Sequence, residues 1–254
     1  MAKRKNNTYK YEKGKSFKVS RSGIDSFIKC PRCFYINKVL NIKDIGGPGF
    51  SLNSAVDELL KKEFDYYREK KAPHPITKTI NRTIIPYQHE DLELWRNNFK
   101  GVSYHHKETD LIISGAVDDV WVEVETDKLI VVEYKSTSTS KEISLDDGTE
   151  WKEAYKRQID IYQWLLRKNN FEVSDISYFV YVNGLKNLDM FDNTLHFETF
   201  LLEYTGSDEW VESVIFEIKN LLDMKSIPKS NENCETCSYV QSVFEEENYE
   251  TNKL

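Results

Sequence analysis

Two Cys-x-x-Cys pairs, Cys30-Pro31-Arg32-Cys33 and Cys234-Glu235-Thr236-Cys237, contain all four cysteines of the chain. Each pair lets two thiolates reach one metal from a single turn of backbone, so together they offer one four-thiolate site. Such a site would fasten the N-terminal region to the C-terminal region across the whole sequence. Four unrelated thiols, or two thioredoxin-like pairs, are the other readings, and on ligand chemistry four thiolates suit zinc and an iron-sulfur cluster equally.

A second constellation lies mid-chain, where the apolar run Leu129-Ile130-Val131-Val132 ends in Glu133-Tyr134-Lys135. Side chains alternate along a strand, so Glu133 and Lys135 share one face while Val132 and Tyr134 take the other. Charge placed directly after four apolar residues costs free energy unless it is paired or binds a metal. Upstream, Gly115-Ala116-Val117-Asp118-Asp119 can set Asp118 beside Glu133 on a neighbouring strand. Two facing carboxylates are a hard-oxygen site suited to Mg²⁺ or Mn²⁺. An ion there could bind a phosphate oxygen and acidify a water, with Lys135 orienting or deprotonating that water or neutralising developing charge. The bland alternative is an exposed hairpin ion pair, worth ~0 to 1 kcal/mol.

The elements that must position these residues follow from apolar periodicity. Leu111 to Val124 and Lys128 to Ser136, rich in Val, Ile and Trp and joined near Thr126-Asp127, predict a β-hairpin. Helical spacing predicts helices from Ser22, with Ser22 as cap, over Ser51 to Lys70, over 90 to 99, over Trp151 to Lys168 and from Asp208 to Asp223. In the Ser51 helix, Leu52, Val56, Leu59, Leu60, Phe64 and Tyr67 mark the face expected to pack. Further strands are predicted over Ile176 to Val182 and Leu195 to Tyr204, and Gly46-Gly47-Pro48-Gly49 breaks the chain. Trp121 and Trp151 are expected to be buried.

With 254 residues, 39% hydrophobic and 30% charged, the chain can bury a core without disulfides and reads as globular, not disordered or fibrous. No apolar run reaches the ~18 residues of a membrane span, and no signal-peptide stretch follows the first residues. A cytoplasmic protein with no membrane partner is expected. The net charge of −7 is uneven: residues 1 to 43 carry twelve Lys/Arg against Glu12 and Asp25, while the remainder carries 23 basic and 40 acidic residues. Residues 1–20 therefore read as a basic flexible arm, either phosphate-contacting or merely solvated, residues 21–241 as a single domain, and 242–254 as an acidic solvated tail.

Taken in order, Ser20-Arg21-Ser22-Gly23-Ile24 through Cys30-Pro31, Gly115-Ala116-Val117-Asp118, Val132-Glu133-Tyr134-Lys135-Ser136 and Gln158-Ile159-Asp160-Ile161-Tyr162 resemble the RecB-like branch of the PD-(D/E)XK nuclease superfamily over residues 18 to 240. That branch includes iron-sulfur exonucleases of bacterial recombination and CRISPR-associated adaptation nucleases. The resemblance implies an α/β fold with a mixed central sheet flanked by helices. It implies Asp118, Glu133 and the Tyr134 carbonyl as metal ligands, Lys135 as catalytic lysine, and Gln158 and Tyr162 as the Gln-x-x-x-Tyr pair beside the active site. Asp57 stands where relatives commonly carry a metal-binding His and is a candidate metal ligand in its place, the other reading being an ordinary acidic residue in the first turns of a solvated helix. Relatives usually supply one Cys before the core and three after it, whereas this chain supplies two and two. The implied cofactors are Mg²⁺ or Mn²⁺ and a 4Fe-4S cluster, with structural Zn²⁺ as the alternative. The implied activity is hydrolysis of DNA phosphodiesters, on single-stranded substrate or a free end, in repair, recombination or viral DNA processing, with a helicase or recombination partner. The rival is a nucleic-acid-binding module that keeps the fold and lacks activity.

Overall fold

The strand carrying Glu133 and Lys135 lies at the centre of a five-stranded sheet. The computed structural model describes residues 8–12, 14–43 and 49–251, so part of the basic arm, the break at Gly46–Gly49 up to residue 48, and the last three residues of the tail lie outside it. In chain order the elements are β1 (Phe17–Ser20), α1 (Arg21–Lys29), α2 (Pro31–Lys38), α3 (Ser51–Glu69), β2 (Ile84–Pro86), α4 (Leu92–Trp95), β3 (Val102–His106), β4 (Leu111–Gly115), β5 (Asp119–Glu123), β6 (Leu129–Thr137), α5 (Glu150–Lys168), β7 (Ile176–Gly184), β8 (Phe197–Thr205), α6 (Val211–Leu222) and α7 (Glu235–Thr251). The fold is mixed α/β, as expected. No described helix is long and apolar enough to cross a membrane.

The chain divides into two compact units, one of residues 1–46, 105–113 and 212–254, the other of residues 47–104 and 114–211. The second unit holds the sheet of order β2-β5-β6-β7-β8. β5 and β6 form an antiparallel hairpin with Asp119 opposite Val132. Its turn uses Asp127 at φ 57°, a left-handed conformation that Asp tolerates. β6 and β7 run parallel, a step that requires a crossover, and α5 supplies it. Ile130, Val132 and Tyr134 point to one face of β6 and pack with Phe64 of α3, Ile84, Trp121, Tyr178 and Val180. α5 fits the other side because Ile159, Ile161, Tyr162, Leu165 and Leu166 are all buried.

Several expectations need correction. The run Leu111 to Val124 is not one strand: β4 joins a sheet of order β1-β4-β3, and Ala116–Asp118 carries the chain across to β5. At the crossing the Val117 N–H leaves the strand ladders and donates to the Trp95 carbonyl at 3.1 Å. Gly101, at φ +65°, lies so close to the Gly115 carbonyl that a Cβ would come within 2.4 Å of its oxygen. Among the apolar positions of α3 only Phe64 is fully buried, while Leu52 and Leu59 are exposed. Trp121 is buried as expected, but Trp151 is 45% exposed at the solvated start of α5. The acidic stretch from 242 is exposed over residues 242–249, as a solvated tail would be, but it is helical as the end of α7, which the weak apolar periodicity of Glu235–Thr251 does not announce.

In the first unit the Ser20 hydroxyl, not that of Ser22, caps α1 by accepting the Gly23 N–H at 3.2 Å. The Cys30 N–H closes α1 on the Ser26 carbonyl, and Pro31 opens α2 at a position where a missing N–H costs nothing. Cys30 is thereby fixed at the junction of two helices. Phe27 and Phe34 meet edge to face at 5.8 Å beneath it.

Candidate active site and thiolate cluster

The register of the hairpin extends one residue past Asp119, so Asp118 faces Glu133. The Tyr134 N–H donates to Asp118 Oδ2 at 2.9 Å, fixing that carboxylate at the mouth of the hairpin. Glu133 is 3% exposed and lies against α5. Gln158 Nε2 donates to Glu133 Oε1 at 2.7 Å and to the Tyr162 hydroxyl at 2.9 Å, while Gln158 Oε1 accepts from Lys135 Nζ at 3.2 Å. Lys135 Nζ also donates to Glu133 Oε1 at 2.6 Å and sits 4.0 Å from the centre of the Tyr155 ring. Asp118, Glu133, Tyr134, Lys135, Gln158 and Tyr162, far apart in sequence, thus meet at one place.

Asp57 joins them from α3. Its Oδ2 lies 2.8 Å from Lys61 Nζ, and the same ammonium lies 3.8 Å from Asp118 Oδ1. Burial works against the charge on Lys61, yet Asp118 and Asp57 outweigh it and hold the ammonium above the ordinary lysine value. Lys61 was not among the expected site residues; the signal for it is its position one helical turn after Asp57. Asp57, Lys135 and Tyr134 line a cleft of about 350 Å³ together with Phe50, Asn53 and Tyr155.

Glu133 Oε2 is buried and has no hydrogen-bond partner. An unpaired buried carboxylate oxygen is costly, and here it belongs to a residue facing a second carboxylate. The Asp118 carboxyl is pushed well above its usual range, first by burial and then by the charge of Glu133, with Lys135 opposing. Positive charge between the two would relieve both costs. The donor set therefore fits a hard divalent cation. Among the described residues only the four thiols gather three or more ligand atoms within 4.8 Å of one another; the carboxylates are interleaved with two ammonium groups instead.

Behind the site, Asp119 is fully buried and accepts from the Tyr134 hydroxyl at 2.8 Å, from Arg96 at 3.0 Å and from Arg68. Asp65 accepts from Arg96 at 2.9 Å and from Arg68 as well. Burial and the Asp119 carboxylate hold the Tyr134 hydroxyl well above the ordinary phenol value, so it stays a donor. This network pins the side chain of Tyr134 on the opposite face from Glu133. Asp119, Arg68 and Arg96 were missed in the sequence, although the adjacent acids Asp118-Asp119 must face opposite ways in an extended chain.

In the first unit the four cysteine sulfurs converge. Sγ to Sγ separations are 3.8 Å for Cys30 and Cys237, 3.6 Å for Cys33 and Cys234 and 3.5 Å for Cys33 and Cys237. All four thiols are free. The two pairs are placed alike: Cys30 precedes α2 and Cys234 precedes α7, each with its partner in the first turn, where helix N-termini favour thiolates. Burial opposes ionisation of Cys30, but N–H groups of Asn231 and Cys33 and the neighbouring thiols bring it down to about 7. Burial pushes Cys33 and Cys237 up. Cys30 is thus the readily ionised thiol, and positive charge would be needed to ionise Cys33 and Cys237.

No curated protein matches the chain. Among solved structures it is similar to SSO0001, at 17% identity and a TM-score of 0.39 over 87% of this chain and 82% of that one. It is also similar to a candidate exonuclease from Eubacterium rectale, at 12% identity and a TM-score of 0.40 over 87% of each chain. The family model of the PD-(D/E)XK nucleases matches residues 48–242, a span that takes in the whole β5–β6 hairpin, α3 and α5 and so every carboxylate, lysine and amide of the site. On that match the chain belongs to the PD-(D/E)XK nuclease superfamily.

Proposed function

We propose that the chain is a Mg²⁺- or Mn²⁺-dependent deoxyribonuclease of the RecB-like branch, acting on single-stranded DNA or a free end. The observation that carries this reading is the buried, unpartnered Oε2 of Glu133, a carboxylate whose charge is felt by Asp118 and whose other oxygen holds Lys135 at 2.6 Å. Asp118, Glu133 and the Tyr134 carbonyl would hold the ion, and Asp57 adds a third negative charge on the α3 side. When bound, the ion supplies Lewis acidity toward the scissile phosphate and acidifies a water. Lys135 orients that water or neutralises the charge that builds on the phosphate oxygens. Gln158 fixes both ends of the Glu133–Lys135 pair, and Tyr162 holds the Gln158 amide in the orientation that does so. Tyr155 supports the ammonium through its ring face.

For the thiolates we propose a single structural ion. Four sulfurs sharing one ion at ~2.3 Å stand about 3.8 Å apart at the corners of a tetrahedron; three of the separations are 3.5–3.8 Å and all four sulfurs lie within 4.8 Å of one another, which suits one ion. A 4Fe-4S cube places one iron behind each thiolate and needs the sulfurs farther apart. Zinc accordingly moves ahead of the iron-sulfur cluster in this proposal.

The test is cleavage of end-labelled linear and circular DNA, single- and double-stranded, with wild type and Glu133→Ala in Mn²⁺ and in EDTA. Linear single strands should be cut by wild type in Mn²⁺ alone. DNA bound but left intact by wild type would point to the binding-module reading.

A further inference from the structure

Two ammonium groups occupy the carboxylate cluster, and the proposed reaction uses only one of them. Lys135 belongs to it. Lys61 is 23% exposed, contacts Asp57 at 2.8 Å and Asp118 at 3.8 Å, and has no part in the strand motif or in the Gln158–Tyr162 pair. Three carboxylates gathered at one site would repel one another strongly without counter-charge. The chain supplies that charge itself.

We infer that Lys61 is a built-in competitor for the divalent ion: it neutralises Asp57 and Asp118 in the ion-free protein, yields Asp118 when the ion arrives, and so sets the affinity of the site. The inference rests on the reading of Asp118 and Glu133 as ion ligands. The two contacts of Lys61 are unequal in the way this role requires. The longer one, to Asp118, is the one that must break, and the shorter one, to Asp57, gives the displaced ammonium a place to remain. Asp57 is then the anchor of Lys61. The dication and the ammonium are attracted to the same Asp118 oxygens but repel each other, and opposition of this kind persists even through water. Because Lys61 and Asp57 are one turn apart on a helix whose next turn seats the buried Phe64, the ammonium cannot drift far from the cluster.

The experiment is calorimetric titration of the full chain with Mn²⁺, without DNA, comparing wild type, Lys61→Met and Lys61→Arg. Heat that survives in Glu133→Ala is subtracted as binding elsewhere. Lys61→Met keeps the stem and loses the charge, and should bind Mn²⁺ about tenfold more tightly, equivalent to about 1.4 kcal/mol. Lys61→Arg should stay within about threefold of wild type. Should the Met variant not fold, Lys61→Gln removes the same charge in a polar side chain and carries the same expectation. Equal or weaker binding in the charge-removed variant, with wild type binding normally, overturns the role of Lys61 and leaves the ion site standing. Wild-type heat no greater than that of Glu133→Ala overturns the ion site and this inference with it.

Discussion

At the residue scale, Asp118 carries the tension of the site. Its carboxyl is shifted upward in the folded protein by burial and by Glu133. A carboxyl whose folded pKa exceeds its unfolded one favours folding when protonated, so its contribution is present at low pH and is lost as pH rises from the ordinary carboxylate range through the raised value. This is the reverse of an acid whose ion pairs outweigh its burial. In EDTA, Asp118→Asn should therefore melt a few degrees above wild type at pH 7.5, and the difference should shrink as pH is lowered. Mn²⁺ should raise the melting temperature of wild type and not of the variant. Calorimetric scans across pH, with and without the ion, check both statements. Glu133 and Lys135 were legible as charge at the end of an apolar strand, and Asp118 as the acid a hairpin would set beside Glu133, with the ordered motifs of the resemblance singling them out. Lys61 was not, because a lysine on a helix is ordinary until a carboxylate from another element approaches it.

At the element scale, the hairpin and α5 do the positioning, and their sequence signals were strong. β6 alternates a packed face with a charged one, and α5 repeats apolar residues along almost its whole length. The misreadings share a physical cause: tertiary context outweighed local pattern. Leu111 to Val124 has the period of a single strand, yet the close approach of Gly101 and the Trp95 carbonyl accompany its break before Asp118. α7 has no broad apolar stripe, and what local signal it has is Cys234 at its start. The buried Asp119 network is likewise invisible locally, since Arg68 and Arg96 arrive from α3 and from the end of α4. Asp119→Ala leaves two buried guanidinium groups and the Tyr134 hydroxyl without their shared acceptor, so it should destabilise by about 3–5 kcal/mol. Urea unfolding measures that loss. A change below about 1 kcal/mol would show that the network does not hold Tyr134 in place.

At the scale of the whole chain, the thiolates join residues about two hundred positions apart within the first unit. Cross-linking so long a loop stabilises on the order of 5 kcal/mol in the loop-closure treatment, provided the native geometry is unstrained. Purified protein should be colourless and contain one zinc per chain. Cys237→Ser should release the ion and expose Glu235–Thr251 to protease. Elemental analysis with limited proteolysis checks this, and stoichiometric iron with a visible absorption band would restore the cluster in place of the single ion. The even division of the cysteines was readable from spacing. Their placement at two matching helix starts was not, because one of those helices has so little amphipathic pattern.

The central claim is that Asp118 and Glu133 grip one divalent ion beside Lys135. Anomalous scattering from Mn²⁺-soaked crystals tests it most directly: a peak should stand between Asp118 and Glu133 Oε2, within ligand distance of both, with Lys61 withdrawn toward Asp57. Crystals soaked at saturating Mn²⁺ that show no peak there, with both lysines still bonded to the carboxylates, would contradict it.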